Sequence, residues 1–474
     1  MISAEVETFA RTGGLGDVVY GLARSLGKRG VEVVVATPRY GITRVPENAS
    51  WWWDSISVRV GWGERDVREL GVLETAIGQN ARVCLLSSSE LFDRAGIYSD
   101  GDGTFGDNAL RFATMSRGAL AVAERIWGSP ESGGGPDVIH AHDWHAAPAV
   151  IYAKRAMGDA WSQVKAAFTI HNLAYQGVLD FGSLDRLGIP RDLYRGDHLE
   201  HFGTVNLLKG ASALANRLTT VSPTYAKEIR TQAGGFGLDG FLRDNAFKTT
   251  GIVNGIDPER YAPDFSTTDA RRAKRDHKVA LGDELGLDRD DRSPLFSLVS
   301  RLTSQKGIDI FLDTLPAIID RGARVVLVGT GDGALEQALR RAADRYPGRV
   351  AAKVAFDEAL ARRVYAASDF LVIPSRFEPC GLTQLYAMRY GAIPIVTDVG
   401  GLHDTVTPYD PARDVGTGFV ARVPNSTSLL IALDDALTTW GDGVGMQGLV
   451  ARAMSRDSSW SASAADYEEK IYRA

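Results

Sequence analysis

The run SRFEPCGLTQLYAMRYG, Ser375 to Gly391, decides how the second half of the chain must fold. An apolar segment, Phe370–Ile373, precedes it and reads as a buried strand, and a second begins at Ile393. Between them, residues 382–390 have helical composition, with Gly381 at the mouth and Gly391 at the end. A carboxylate, Glu378, therefore stands in a loop ahead of a helix whose first N–H groups lack intrahelical partners. Such a helix start attracts anions. An anion site beside one carboxylate suits sugar transfer from a nucleotide diphosphate; the same residues also read as a plain turn before a core helix.

Working outward, the second half is a fresh α/β series. The strand Leu295–Val299 ends in SRLTSQKG (300–307), which places Arg301 and Lys306 in one strand-to-helix loop. Two cations there can converge on a diphosphate, or can be ordinary surface charges. The next strand, 325–328, runs into GTGDGA (329–334), a loose G-x-G-x-x-A match, so a dinucleotide-binding or sugar-epimerase reading stays open. Phe356 follows a strand at 349–355, either as a platform for a base or as a core aromatic.

The first half opens with barely half a strand, residues 1–4, before Glu5. RTGGLGD (11–17) then leads into a helix with Val18, Leu22 and Leu26 at i, i+4, i+8, and a strand at 31–36. This βαβ unit carries a glycine loop that could cradle phosphates, or could be a tight turn. It lacks the G-x-x-x-x-G-K-[ST] pattern of a P-loop. Residues 51–90 read as strands of an insertion. Asp100-Gly-Asp102 matches a metal-holding D-x-D but lies in an acidic turn with no strand leading in. DVIHAHDWH (137–145) ends a strand and invites a zinc hypothesis, yet Trp144 breaks the order that metallo-hydrolases use. Polar residues lining a sugar site are the competing reading. His171, at the end of a strand over 166–170, stands where doubly wound sheets bind ligands, or accepts one structural hydrogen bond.

Residues 258–293 form a charged, turn-rich stretch read as a solvated helix face and linker, and the domain boundary is set there. The tail places Trp460, Ala464, Tyr467 and Ile471 at helical spacing. A net charge of −6 gives no pull toward nucleic acid or an anionic membrane. Two cysteines, Cys84 and Cys380, make neither a disulfide framework nor a thiolate metal site. No signal peptide or long apolar span is visible, so a cytoplasmic location is expected.

Together RTGGL, HAHDWH, THNLAYQG, VSPTYA, VNGID, SRLTSQKG and SRFEPCGLTQL resemble the bacterial glycogen synthase and starch synthase family, in family order over nearly the whole chain. The resemblance implies an α/β, GT-B fold: two Rossmann-like, doubly wound domains facing across a cleft, over 1–256 and 257–455. A helix at 456–474 would cross back to the first domain. It implies retaining transfer of glucose from ADP-glucose to the non-reducing 4-hydroxyl of an α-1,4-glucan, with no cofactor, metal or protein partner. A UDP-glucose preference or an inactive glucan-binding relative remains open.

On the family's pattern, His171, Arg301, Lys306, Glu378 and Asp143 fall on catalytic positions. Arg11, Gly13, Gly14, Asn254, Phe356, Cys380, Gly381, Leu382 and Thr383 fall on the donor side. Glu5, Tyr98, Trp144 and Asn172 fall on the acceptor side. Three departures stand out: Arg11 where lysine is usual, Tyr386 at the second glutamate of the wider E-x₇-E pattern (a change such synthases share), and a clipped first strand.

Overall fold

The apolar runs assemble into two α/β units in the computed structural model, which describes residues 1–100, 103–290, 292–355 and 357–474. The first unit is Met1–Gly255 with Trp460–Ala474; the second is Ile256–Ser459. Residues 456–459, grouped above with the closing helix, thus lie in the second unit. Phe356 and Asp102 lie outside the described residues.

The first unit's sheet runs Ser50–Arg59, Val67–Gly78, Ala81–Ser87, Val33–Pro38 on one side and Val138–His142, Lys165–Ile170, Arg217–Thr220, Thr249–Gly251 on the other. Ile2 bridges the two halves, pairing in parallel with both Ala36 and Ala141. Its N–H donates to the His140 carbonyl at 2.9 Å, and the His142 N–H donates back to its carbonyl at 3.1 Å. Three residues therefore serve as the central strand. The segment read as an insertion is part of this sheet: Ala81–Ser87 pairs in parallel with Val33–Pro38, and the two strands before it extend the sheet antiparallel.

The tail helix Trp460–Tyr467, continued by a π-helical turn to Arg473, closes the core over Val18, Leu22 and Leu26 with Trp460, Ala464, Tyr467 and Ile471 all buried. Gly21 is required there, because a Cβ at that position would lie 2.0 Å from the Trp460 indole nitrogen.

The second unit's sheet is parallel throughout, in the order Val350–Lys353, Arg324–Val328, Leu295–Val299, Phe370–Ile373, Ile393–Thr397, Phe419–Ala421. Near-continuous Val, Ile and Leu fit strands buried on both faces. The order reverses between Leu295–Val299 and Phe370–Ile373, the point where such sheets bind ligands at the strands' carboxyl ends.

The charged stretch before this sheet is not a linker. Ala270–Leu285 is a helix with Arg271, Arg272 and Arg275 exposed but Lys274 and Lys278 buried. Lys278 donates to Asp369 Oδ2 at 2.5 Å, and Lys274 caps carbonyls including that of Ser368 at 2.7 Å. Burial lowers the Lys274 ammonium to about 7. The charges were legible, but their partners lie some ninety residues away.

Candidate active site

In the second unit, the two loops at the switch point are fastened to each other. Arg376 grips Asp309 through both carboxylate oxygens, at 2.9 and 2.6 Å, and donates to the Ser304 carbonyl at 2.8 Å. Its own N–H donates to the Gln305 carbonyl at 2.8 Å, and Gln305 Nε2 returns a bond to Phe377 O at 3.1 Å. Gly307 makes this closeness possible: its φ is +61°, and a Cβ there would sit 2.0 Å from Pro374 O.

This frame brings Lys306 to Glu378, Nζ donating to Oε2 at 2.6 Å, while the Ser375 hydroxyl donates to the same oxygen at 2.8 Å. Glu378 is only 5% exposed. Its carboxylate is thus held at one oxygen, with its charge balanced in place. Arg301 is exposed on the same loop and makes no ion pair among the described residues. Cys380 is buried; Gly381 adopts φ +72° just before the helix Thr383–Arg389. Gln384 Nε2 ties that turn by donating to the carbonyls of Cys380 and Gly381, both at 3.0 Å. No hydrogen bond among the described residues takes the N–H of Gly381, Leu382 or Thr383. An exposed cation, a neutralised cation–carboxylate pair and open amides gather at the carboxyl ends of the two central strands, a set suited to a diphosphate joined to a sugar.

The G-x-G-x-x-A loop does something else. Asp332 Oδ1 accepts from the N–H groups of Ala334 and Leu335, at 2.8 and 3.2 Å, and Glu336 Oε1 accepts from Thr330 and Gly331. The helix start carries its own carboxylates where a dinucleotide needs a bare phosphate cradle. That overturns the dinucleotide reading.

In the first unit, Asp143 opens the helix Asp143–Arg155 at φ +58°, a left-handed conformation costly for a residue with a Cβ. Its Oδ1 accepts from the His171 N–H at 2.7 Å and the Asn172 N–H at 3.4 Å. Burial raises the Asp143 carboxyl to about 7 despite these bonds. Tyr225, from the VSPTYA motif, accepts from Leu173 N–H at 2.9 Å and so holds the same loop. Burial lowers His171 to about 3, so its imidazole is neutral. His171 Nε2 lies 3.0 Å from His142 Nδ1. Trp144 packs edge-on to Phe112 and lies under Gly177, whose absent Cβ would be 2.5 Å from the indole. Asn172 Oδ1 accepts from Ala174 N–H at 3.1 Å. Asn254 is buried with Oδ1 unpartnered among the described residues.

The glycine loop is held from within. Glu5 Oε2 accepts from the N–H groups of Thr12 and Gly13 at 2.7 and 3.0 Å, and Oε1 from the Thr12 and Tyr98 hydroxyls at 3.0 and 2.6 Å. Glu5, expected on the acceptor side, is 4% exposed and fixes the loop. Gly13, expected to offer its amide to the donor, already gives it to Glu5; no hydrogen bond among the described residues takes the Gly14 amide. Arg11 is bracketed by Glu7 and Asp17 at 2.5 and 2.7 Å. Burial and the neighbouring Glu7 raise Asp17 to about 8, against the pull of Arg11. Among the described residues, no three His, Cys, Asp or Glu side chains gather as a metal site; the D-x-D reading includes Asp102, which lies outside them. Among the described residues, no helix is long and apolar enough to cross a membrane.

Residues 1–244 match the family described as starch synthase catalytic domain, and residues 293–439 match glycosyl transferases group 1. The chain is 42% identical to a glycogen synthase of Anaeromyxobacter dehalogenans (strain 2CP-C), over all of this chain and 98% of that protein. The chain belongs to the glycogen and starch synthase family. A glycogen synthase of Myxococcus xanthus is 40% identical over 98% of this chain and 97% of its own length. The catalytic domain of starch synthase IV from Arabidopsis thaliana, solved bound to ADP and acarbose, superposes with a TM-score of 0.90 at 32% identity, covering 99% of this chain and 97% of that one. The chain is thus a glycosyltransferase of the GT-B class, built from two Rossmann-like units. Among the residues that sequence reasoning missed, Ser375, Arg376, His142 and Tyr225 sit inside motifs that were singled out, but their partners lie far along the chain.

Proposed function

We propose that this chain is a glycogen synthase that transfers glucose from ADP-glucose to the non-reducing 4-hydroxyl of an α-1,4-glucan with retention of configuration. The observation that carries this reading is the switch-point cluster of the second unit, where Lys306 neutralises buried Glu378 beside exposed Arg301.

Breaking the C1–O bond leaves negative charge on the departing diphosphate and positive charge on the sugar. Arg301, Lys306 and the amides at 381–383 act on the first; removing one such preorganised donor costs on the order of 10²–10³ in rate. Glu378 acts on the sugar and favours its cationic transition state. In the first unit, His171 and Asp143 serve the sugar's reacting end, with Asn254 and the Arg11–Gly14 loop on the donor side. Trp144 and Asn172 serve the acceptor, and Glu5 and Tyr98 position the loop. The relatives' names, and the ADP and acarbose bound to the starch synthase IV domain, support this donor and acceptor.

The test is incorporation of labelled glucose into glycogen from ADP-glucose and, in parallel, from UDP-glucose, with the anomeric linkage read by NMR. α-Linked incorporation favouring ADP-glucose supports the proposal. A UDP-glucose preference overturns the donor assignment, and no incorporation at any primer concentration overturns the activity.

A further inference from the structure

His171 is fixed by two separate devices. Its backbone N–H is tied to Asp143, but among the described residues its ring meets a hydrogen-bonding group at one atom only, Nε2, which lies 3.0 Å from His142 Nδ1. Both rings are neutral, because burial holds both imidazoles well below their ordinary value. Two neutral imidazoles bonded nitrogen to nitrogen share a single proton in that bond, and only two arrangements exist.

In the first, His142 Nδ1–H donates to His171 Nε2. The leftover groups are then a bare lone pair on His142 Nε2 and an N–H on His171 Nδ1. In the second, His171 Nε2–H donates to His142 Nδ1, and His142 must carry its own proton on Nε2.

The surroundings of His142 choose between them. The residue has no exposed surface, and its Nε2 is buried with no hydrogen-bond partner among the described residues. A buried, unpaired N–H donor is rarer and costlier than an unpaired acceptor. His140, whose ring is tilted against that of His142 with centroids 4.1 Å apart, gives no relief. Its Nδ1 is taken by the Tyr472 hydroxyl and its Nε2 by Thr169, each at 2.7 Å. The first arrangement therefore wins.

We infer that His142 is a positioning residue that sets the tautomer of His171, so that His171 presents an Nδ1–H donor, and no basic lone pair, to the sugar. This rests on the proposal that His171 faces the sugar; the tautomer itself is independent of that proposal. The partner of one ring nitrogen determines what the other can do. A donor at Nδ1 can hold a sugar hydroxyl or ring oxygen but cannot take a proton.

The test is long-range ¹H–¹⁵N correlation on the full chain labelled at histidine, with His171 assigned from the His171→Gln variant. The expected spectrum shows His171 protonated at Nδ1 and unprotonated at Nε2. A His171 protonated at Nε2 overturns the inference, and this measurement needs no folded variant of His142. In His142→Phe, which cannot donate, His171 should revert toward Nε2–H, and kcat should fall about ten- to a hundredfold with the KM for glucan little changed. His142→Asn, whose amide can donate from the Nδ1 position, should recover much of that loss. An unaltered tautomer and kcat in a folded His142→Phe protein overturn the inference. Absence of transferase activity in the wild type, with the Nδ1–H spectrum intact, would count against the proposed function and not against the tautomer.

Discussion

Lys306 Nζ sits 2.6 Å from Glu378 Oε2, and the pair joins two loops that leave the neighbouring central strands of the second sheet. Each charge makes the other tolerable in a largely buried place. Removing one alone leaves the other stranded, at a cost of about 3–5 kcal/mol. We expect Lys306→Met and Glu378→Gln each to lower stability by roughly that amount, and the double variant to lose much less than the sum. Urea unfolding of the three variants measures the coupling, and strict additivity would refute it.

Gly307→Ala should be among the most damaging single-atom changes in the chain. The position needs a left-handed backbone, and the new methyl would collide with Pro374 O. The expected loss is about 2 kcal/mol or more, with transferase activity falling because Lys306 is the adjacent residue. Thermal unfolding and a glucose-transfer assay together check this.

Asp143 predicts a pH dependence with a defined sign. Its folded carboxyl titrates at about 7, above the unfolded value of 3.8. Below pH 3.8 both states are protonated and there is no penalty. As pH rises from about 4 to 7 the unfolded chain ionises first, so stability falls through that window. Asp143→Asn keeps the acceptor and tolerates positive φ. The variant should gain on the wild type by a few kcal/mol between pH 4 and pH 7. Parallel stability curves over that range would contradict the assignment.

Glu5 offers a test that separates holding a loop from supplying a charge. In Glu5→Gln the side-chain oxygen can face the fixed N–H groups of Thr12 and Gly13, while the amide donates to the Thr12 and Tyr98 hydroxyls, which can turn to accept. We expect Glu5→Gln to retain most activity, and Glu5→Ala to lose it as two backbone donors are left unpaired at about 1–3 kcal/mol each. Equal loss in both variants would assign Glu5 a role through its charge.

The strands and loops that carry the site were readable because their signals are local. FLVI before SRFEPCG, and LFSLV before SRLTSQKG, declare buried parallel strands ending in polar loops within ten residues. The misread features depend on distance. Glu5 meets Tyr98 across 93 positions, and Lys278 meets Asp369 across 91. No composition window reports that a charge run hides two buried lysines. The first strand looked clipped for a related reason: Ile2 gains its place from neighbours on both sides, not from its own length.

The return of the tail to the first unit has a consequence for the order of synthesis. Residues 256–459 are contiguous, so the second unit is complete once its own codons have been read. The first unit cannot close over Val18, Leu22 and Leu26 until Trp460, Tyr467 and Ile471 leave the ribosome, although most of its sheet was made hundreds of residues earlier. The first unit's core is therefore complete only when residues 460–474 have been added, after the whole of the second unit.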